Sequence, residues 1–531
     1  MATDAVPDYE HVTLPMLLRR RAEEHPDRVF LQEVGGDSQT YGEVLAGTRR
    51  WAAGLRGAGV QPGDKVLVMM PASNSSVQIW FALNGIGATE VPVHNDYRGQ
   101  MLSHLIDVSG ARMMTIHPRF LERLTELDRF GNLEKVVVLE EVTDTGLPLE
   151  ELLAADLLAG AGAGEDEALD GHQYYDVSTI VFTSGTTGLS KGVLNVHAQL
   201  HVTSIGAWET LGPDDAYYSV LPPYHVGGKV AVCAMLGVGG RAVFRERFST
   251  AEFWDDIRRY DCNVVALLGA MANFIFRQEP RPDDRDNPAD KILMIPLIPE
   301  VEAFKERFGV RVRTIFNQTE ISSPIATTGY DLFDNKSCGR ARPGYDCRVV
   351  DDNDEEVPHG GVGELVVRCD RPWRLMAGYY KEPEKTVEAW RNQWLHTGDG
   401  FRRDEDGNFY FVDRFKDVIR RRGENISSVE VELIVNQHDD VMESAAIPVT
   451  SDVGEEEVKV AVVLKPGREL AEEVLARFCT ERMPRFMVPR YIEFVDSLPK
   501  TPTEKIRKAE LRKLGITEHT WDREAAGARV A

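Results

Sequence analysis

The densest chemistry in the sequence lies in Thr183-Ser-Gly-Thr-Thr-Gly-Leu-Ser-Lys-Gly192. Small hydroxyl and glycine residues let backbone N–H groups and side-chain hydroxyls close on phosphate oxygens, and a nearby lysine adds a movable positive charge. Thr183, Ser184, Gly185, Thr186, Thr187 and Lys191 are therefore expected to hold the triphosphate of ATP. The pattern is not G-x-x-x-x-G-K-[ST], because the lysine comes six positions after Gly185 and a glycine follows it. Further on, Phe316-Asn-Gln-Thr-Glu320 combines an aromatic ring, amides, a hydroxyl and a carboxylate. Taken alone, its glutamate reads as a solvated acid.

These residues need a scaffold that presents strand ends to a ligand. Apolar runs over 66–70, 89–93, 135–139, 178–182, 217–221, 241–244, 264–268 and 312–316 alternate with helical patterns, the mark of α/β architecture with largely parallel sheets. A capping box, Thr40 with Glu43, predicts a helix from 40, and 76–83 predicts another. The Gly-rich stretch 160–164 reads as a flexible connection. After Ile321 the texture becomes short alternating strands, as at 346–350 and 363–368. Beyond Asp413, helices over 428–436 and 470–483 and strands over 444–449, 459–464 and 491–494 suffice for a compact terminal domain.

Bulk properties narrow the partners. At 531 residues the chain exceeds a single hydrophobic core, and its 43% hydrophobic content is ordinary for a globular protein. A formal charge of −24 repels phosphate backbones and anionic lipid, so no nucleic acid or membrane partner is expected. The six cysteines form no C-x-x-C pair, which predicts reduced thiols in a cytoplasmic protein. Positions 1–10 show neither a basic n-region nor an apolar h-region, and no apolar run reaches the length of a membrane span.

The phosphate segment resembles the signature of the adenylate-forming superfamily, which holds acyl-CoA ligases, adenylation domains and firefly-type luciferases. Phe316-Asn-Gln-Thr-Glu320, Trp394-Leu-His-Thr-Gly-Asp399, Asp413-Arg-Phe-Lys-Asp417, Arg422-Gly-Glu-Asn-Ile426 and Pro499-Lys-Thr-Pro-Thr-Glu-Lys505 follow in that family's order. Arg422-Gly-Glu-Asn and the stretch from Pro222-Pro-Tyr-His-Val226 to Phe253 are most similar to crotonobetaine/carnitine-CoA ligases. The resemblance implies a large N-terminal domain, 1–415, of two packed, mostly parallel sheets plus a small β-barrel, and a smaller mobile α+β C-terminal domain, 416–531. The reaction implied is activation of a small organic acid as its adenylate, with loss of pyrophosphate.

Roles follow by the same resemblance. Phe316 stacks on adenine beside Asn317 and Gln318, Thr319 contacts the phosphate under attack, and Glu320 helps hold Mg²⁺. Asp399 accepts the ribose hydroxyls, Arg414 contacts ribose or phosphate, and Lys416 is the hinge. The acid pocket takes in Tyr224, His225, Gly269, Met294 and Ser322. Lys229 has two readings, a surface lysine lying along apolar neighbours or an anchor for an anionic substrate. Leu293-Met-Ile-Pro-Leu297 stands where relatives carry Gly-Gly-Ala-Pro-Leu, which implies a short pocket and a compact acid. Asn317 replaces the usual glycine, and Met487 stands where relatives often have lysine.

The acceptor stays open at this level. CoA is one candidate, reaching the adenylate past Gly423, with Arg420, Arg421 and Arg422 either meeting its phosphates or forming a solvated basic face. An aromatic amine, as in diazotase-like relatives that activate nitrite, and a carrier protein are the others; a homodimer is an open assembly state.

Lys505 matches the lysine that stabilises charge on the acid and α-phosphate oxygens, although Glu504 precedes it where the family usually has glycine. A pre-positioned cation in a dry site contributes roughly 3–4 kcal/mol, so Lys505→Ala is expected to slow adenylate formation by on the order of 10²–10³, read as acid-dependent pyrophosphate release.

Overall fold

A computed structural model describes residues 11–139, 146–160, 168–183, 191–208, 210–414, 419–421, 424–450, 456–501 and 504–526. The chain divides into two compact units. One comprises Met1–Thr183, Ser190–Tyr345 and Cys369–Glu388; the other is built mainly on Asp346–Arg368 and the chain from Ala389 onward.

The large unit holds two seven-stranded sheets. In one the spatial order is Glu150–Leu153, Lys135–Val138, Met113–Ile116, Lys65–Met69, Thr89–Pro92, Val177–Thr183 and Lys191–Val196. Only the last pair is antiparallel. The other sheet runs Arg311–Arg313, Lys291–Ile295, Val264–Leu268, Ala216–Ser219, Arg241–Phe244, Val29–Glu33 and Ser38–Thr40, parallel except for its final pair. Each apolar run expected to be a strand lies on one, because a strand covered on both faces needs a near-continuous hydrophobic sequence.

The expected capping box is present. Thr40 Oγ1 accepts from the Glu43 amide at 3.2 Å and Glu43 Oε2 accepts from the Thr40 amide at 2.8 Å, starting helix Tyr41–Gly57. Ser73 and Ser76 make a second such box for helix Asn74–Gly85, which is buried nearly all round. One continuous core joins both sheets to these helices and to Val226–Val238 through Trp51, Leu55, Trp80, Phe81, Met235 and Phe244.

Where a small barrel was expected, the described strands form open ladders. In the large unit, Ile315–Phe316, Ile325–Ala326 and Gly339–Ala341 pair antiparallel. In the second unit Tyr345–Val350, Val362–Cys369, Leu395–Arg403 and Asn408–Arg414 are neighbours in that order. Closure requires both edge strands to find partners; among the described residues Tyr345–Val350 is bordered by a strand on one side alone.

The terminal part of the second unit packs helices Ser428–Val435 and Glu472–Thr480 on a sheet that includes Val441–Thr450, Glu456–Leu464 and Tyr491–Phe494. These match the expected elements within two or three residues at each end. All six cysteines are free. No described helix is long and apolar enough to cross a membrane.

A buried polar knot braces the sheet that contains Ala216–Ser219 and Lys291–Ile295. Asp215 accepts from Lys291 Nζ at 2.7 and 2.8 Å, from Asn263 Nδ2 at 2.7 Å and from the Gly212 amide at 2.7 Å. Removing one partner strands the rest away from water, so Asp215→Ala is expected to destabilise the large unit by roughly 3–5 kcal/mol, seen as a lowered thermal midpoint.

Candidate active site

Strand Val177–Thr183 delivers Thr183 to the start of the phosphate segment, and strand Lys191–Val196 begins at its lysine. The Thr183 hydroxyl donates to the Lys191 carbonyl at 3.4 Å, so the two ends of the loop stay together. Ser184, Gly185, Thr186 and Thr187 lie outside the described residues, as do the hinge candidate Lys416 and Gly423.

Lys191 Nζ sits 4.8 Å from the centre of the Tyr379 ring, a cation–π contact. The Tyr379 hydroxyl in turn donates to Glu320 Oε1 at 3.0 Å. Burial and the Glu320 charge both push the phenol up from its ordinary value, so it stays protonated and remains a donor. Lysine, tyrosine and carboxylate thus form one chain at the mouth of the phosphate segment. Tyr379 was not singled out from sequence, and its place in Gly378-Tyr-Tyr380 carries no spacing signal.

Thr319 is fixed through its backbone. Its carbonyl accepts from Asn195 Nδ2 at 2.8 Å and Gln199 Nε2 at 3.0 Å, and the Gln199 amide also reaches the Ile321 carbonyl at 3.4 Å. Phe316 is buried, and Asn317 Oδ1 accepts from the Ser323 amide at 2.8 Å, closing the turn that follows. Asn317 therefore holds the turn through its side chain. Gln318, Thr319 and Glu320 are half-buried.

Among the described residues no cluster of three or more His, Cys, Asp or Glu could cage a metal alone. Mg²⁺ usually binds through one or two carboxylates together with substrate phosphates, and Glu320 fits that role because its Oε2 accepts no hydrogen bond from described residues.

The expected acid-pocket residues divide. Tyr224 stacks on His94 at 4.3 Å between ring centres, and His94 stacks on Tyr97 at 4.8 Å. His225 Nδ1 accepts from the Gly227 amide at 3.0 Å and caps helix Val226–Val238. Gly269 faces Pro296 so closely that a β-carbon would stand 3.0 Å from the Pro296 carbonyl oxygen. Met294 is wholly buried in the core beneath the sheet. Ser322 is fully buried, its hydroxyl 2.6 Å from the Tyr345 hydroxyl and also bonded to the Arg374 carbonyl.

Lys229 is not a surface lysine. Its side chain is 3% exposed and its Nζ lies 2.5 Å from Oε2 of Glu90, itself 4% exposed. Nζ also stands 3.8 Å from the centre of the Trp80 ring. Burial pushes the Glu90 carboxyl up, against the pull of Lys229 and of the Thr179 hydroxyl. Already neutralised, Lys229 is not a free anchor for an anion.

In the second unit Asp399 and Arg414 are cross-strand partners, with Arg414 Nε 3.4 Å from Asp399 Oδ1. Lys505 is exposed, and its amide donates to Thr501 Oγ1 at 3.1 Å while its carbonyl accepts from the Thr501 amide at 2.7 Å. Glu504 adopts φ = +58°, the left-handed region that favours glycine. Arg421 is neither solvated nor free for phosphate: it is buried, donates to the carbonyls of Phe486 and Val488, and lies 2.6 Å from Glu457. Met487 packs in that unit's core.

The sequence reading also missed an arginine cluster in the large unit. Arg123 and Arg119 bracket the Phe120 ring at 4.7 and 4.6 Å, and burial together with Arg98 lowers the Arg123 pKa. Arg123 Nε and Nη1 are buried and have no hydrogen-bond acceptor.

Comparison with known proteins decides the family. The family model of AMP-binding enzymes matches residues 18–380, and that of the AMP-binding enzyme C-terminal domain matches 430–505. The chain belongs to the AMP-binding enzyme family. It is an AMP-forming, acyl-CoA synthetase-like enzyme that uses ATP. It is similar to the crotonobetaine/carnitine–CoA ligase of Salmonella arizonae, 30% identical over 504 residues that cover 91% of this chain and 95% of that protein. The crystal structure of the anthranilate CoA ligase AuaEII with anthranoyl-AMP has a TM-score of 0.83 at 23% identity, covering 97% and 98% of the two chains. The amide bond synthetase McbA of Marinactinospora thermotolerans has a TM-score of 0.80 at 24% identity, covering 94% and 99%.

Glu320→Gln keeps an acceptor for the Tyr379 hydroxyl and removes the charge, whereas Tyr379→Phe keeps the ring beneath Lys191 and removes the donor. ATP-dependent AMP formation is expected to fall about 100-fold or more in the first and about 5–10-fold in the second, with melting temperature unchanged in both.

Proposed function

We propose that the enzyme activates a small organic acid as its adenylate, releasing pyrophosphate, and transfers the acyl group to CoA, releasing AMP. The Glu320–Tyr379–Lys191 chain carries this reading. It puts a carboxylate suited to Mg²⁺ and an ammonium suited to phosphate on either side of one tyrosine, beside the phosphate segment. In this reading Phe316 stacks on adenine, Thr319 contacts the α-phosphate, and Asp399 with Arg414 orients the ribose. Lys505 offsets charge on the acid and α-phosphate oxygens as the mixed anhydride forms. The acid oxygen attacks the α-phosphorus and pyrophosphate leaves; the CoA thiolate then displaces AMP from the acyl carbon.

CoA is supported by the relative named as a CoA ligase and by the arginine cluster. A guanidinium with two buried N–H groups lacking acceptors bears a penalty that an anionic ligand removes. The 3′-phosphate or diphosphate of CoA supplies such oxygens, and Arg123 is the member of the cluster left to meet them, since Arg98 is paired with Glu126 and Arg119 with Glu246.

The test is to supply ATP, Mg²⁺ and a panel of small acids, with and without CoA. AMP, pyrophosphate and a CoA thioester are expected; ADP as product, or AMP release indifferent to CoA but dependent on an amine, would overturn the reading. Arg123→Ala is expected to raise the KM for CoA about tenfold while acid-dependent ATP–pyrophosphate exchange stays within about twofold of wild type.

A further inference from the structure

Against helices Asn74–Gly85 and Val226–Val238 lies a narrow cleft, partly open to solvent, whose inner end has room for little more than a water-sized group. Its wall includes apolar Leu221 together with Ser73, Ser76, Trp80, Glu90 and Lys229. Lys229 Nζ and Thr179 Oγ1 both donate to Glu90 Oε2, at 2.5 and 2.8 Å. Glu90 Oε1 accepts nothing from the described residues. One of the Lys229 N–H groups serves Glu90, and the Trp80 ring occupies another side of the ammonium.

Two charges removed from water cost several kcal/mol each before they attract one another, and an apolar pair of similar volume would join helix to strand as well or better. A pair retained on a cavity wall, with one carboxylate oxygen unclaimed, suits recognition. The chemistry of the pair restricts what it recognises. A second carboxylate would meet Glu90, and Lys229 is already neutralised. A plain hydrocarbon would leave the oxygen and the spare N–H unsatisfied. A hydroxyl or amino group can donate to Glu90 Oε1 and accept from Lys229 Nζ.

Position agrees with this. Glu90 lies opposite Thr179 in the ladder, and Thr183, where the phosphate segment begins, is four residues further along the same strand. At about 3.3 Å per residue that is roughly 13 Å, a span that one ring with its two substituents and the flanking side chains can bridge.

We propose that the acid activated by this enzyme carries a hydroxyl or amino group at its far end, and that Glu90 and Lys229 select it. The proposal rests on the acid-activating reading above and specifies its substrate class.

The experiment is calorimetric titration of the full chain, without ATP, with benzoate, its 3- and 4-hydroxy and 3- and 4-amino derivatives, isophthalate and terephthalate, and with butyrate and 4-hydroxybutyrate. At least one hydroxy or amino acid is expected to bind about tenfold or more tighter than its parent and than either dicarboxylate. In Glu90→Leu/Lys229→Met that preference should shrink to within about threefold, while melting stays near wild type. Should the double variant melt early, Glu90→Gln replaces the free acceptor by a donor and should shift preference from hydroxy to methoxy derivatives. Equal binding of parent and substituted acids, tighter binding of a dicarboxylate, or undiminished selectivity in the variants would overturn the proposal. AMP formation with the same acids, followed in parallel, separates the two ideas. Selective binding without AMP would sink adenylation and keep this pair; AMP formation without selectivity would do the reverse.

Discussion

Two side-chain amides hold the catalytic end of the large unit together. Asn195, on the last strand of one sheet, and Gln199, in the helix that follows, both donate to the carbonyl of Thr319, which comes just after the final strands of the other. Hydrogen-bonded ladders fix distances within a sheet and say nothing of the distance between two sheets. The phosphate segment belongs to the first ladder and the Phe316–Glu320 segment follows the second. Their spacing is set by these amides, by the Met376 amide donating to the Glu320 carbonyl at 2.9 Å, and by Tyr379 bonded to Glu320. Loss of either amide would leave the Thr319 carbonyl with one donor in place of two, at a cost of about 0.5–1.5 kcal/mol. It would also loosen the spacing between the two segments.

The chain carries a net charge of −24 and yet must accommodate ATP and, in the proposed reaction, CoA. Local arrangement answers this. Lys191 rests on an aromatic ring that steadies it without neutralising it, unlike Lys229, whose charge is spent on Glu90. Arg123 is crowded by Arg98 and Arg119, with Asp96 Oδ1 as distant as 3.8 Å. Lys191 and Arg123 are thus kept short of carboxylate partners, whereas Arg98 and Arg119, like most other basic groups, are paired at the surface.

Much of the architecture could be read from sequence because buried parallel strands need long apolar runs and helix starts need caps, both local signals. The family was legible for a like reason, since glycine, hydroxyl and lysine at fixed spacing form a local pattern, and the AMP-binding family model matches residues 18–380. What escaped were partnerships over long separations. Glu90 and Lys229 are 139 residues apart and Tyr379 and Glu320 are 59 apart, with no periodicity to link them. Met294 is instructive in another way. It pairs with Leu267 in the ladder and turns to the core, and the neighbouring Ile295 packs against a different cluster, as strand alternation demands. The barrel expectation failed to close because edge pairing is a property of the whole sheet.

The positive φ of Glu504 keeps the backbone turn before Lys505 that glycine would adopt freely, with Lys500 Nζ 3.2 Å from the Glu504 carboxylate. A glycine there would sample many conformations when the chain is unfolded and would lose that freedom on folding; a glutamate loses less, but bears steric strain in the folded turn. The loop's form is thus enforced by its hydrogen bonds and ion pair instead of being granted by residue type. The lysine's carrier is sprung, and a change of ionic strength that weakens the Lys500–Glu504 contact would alter how readily the turn relaxes.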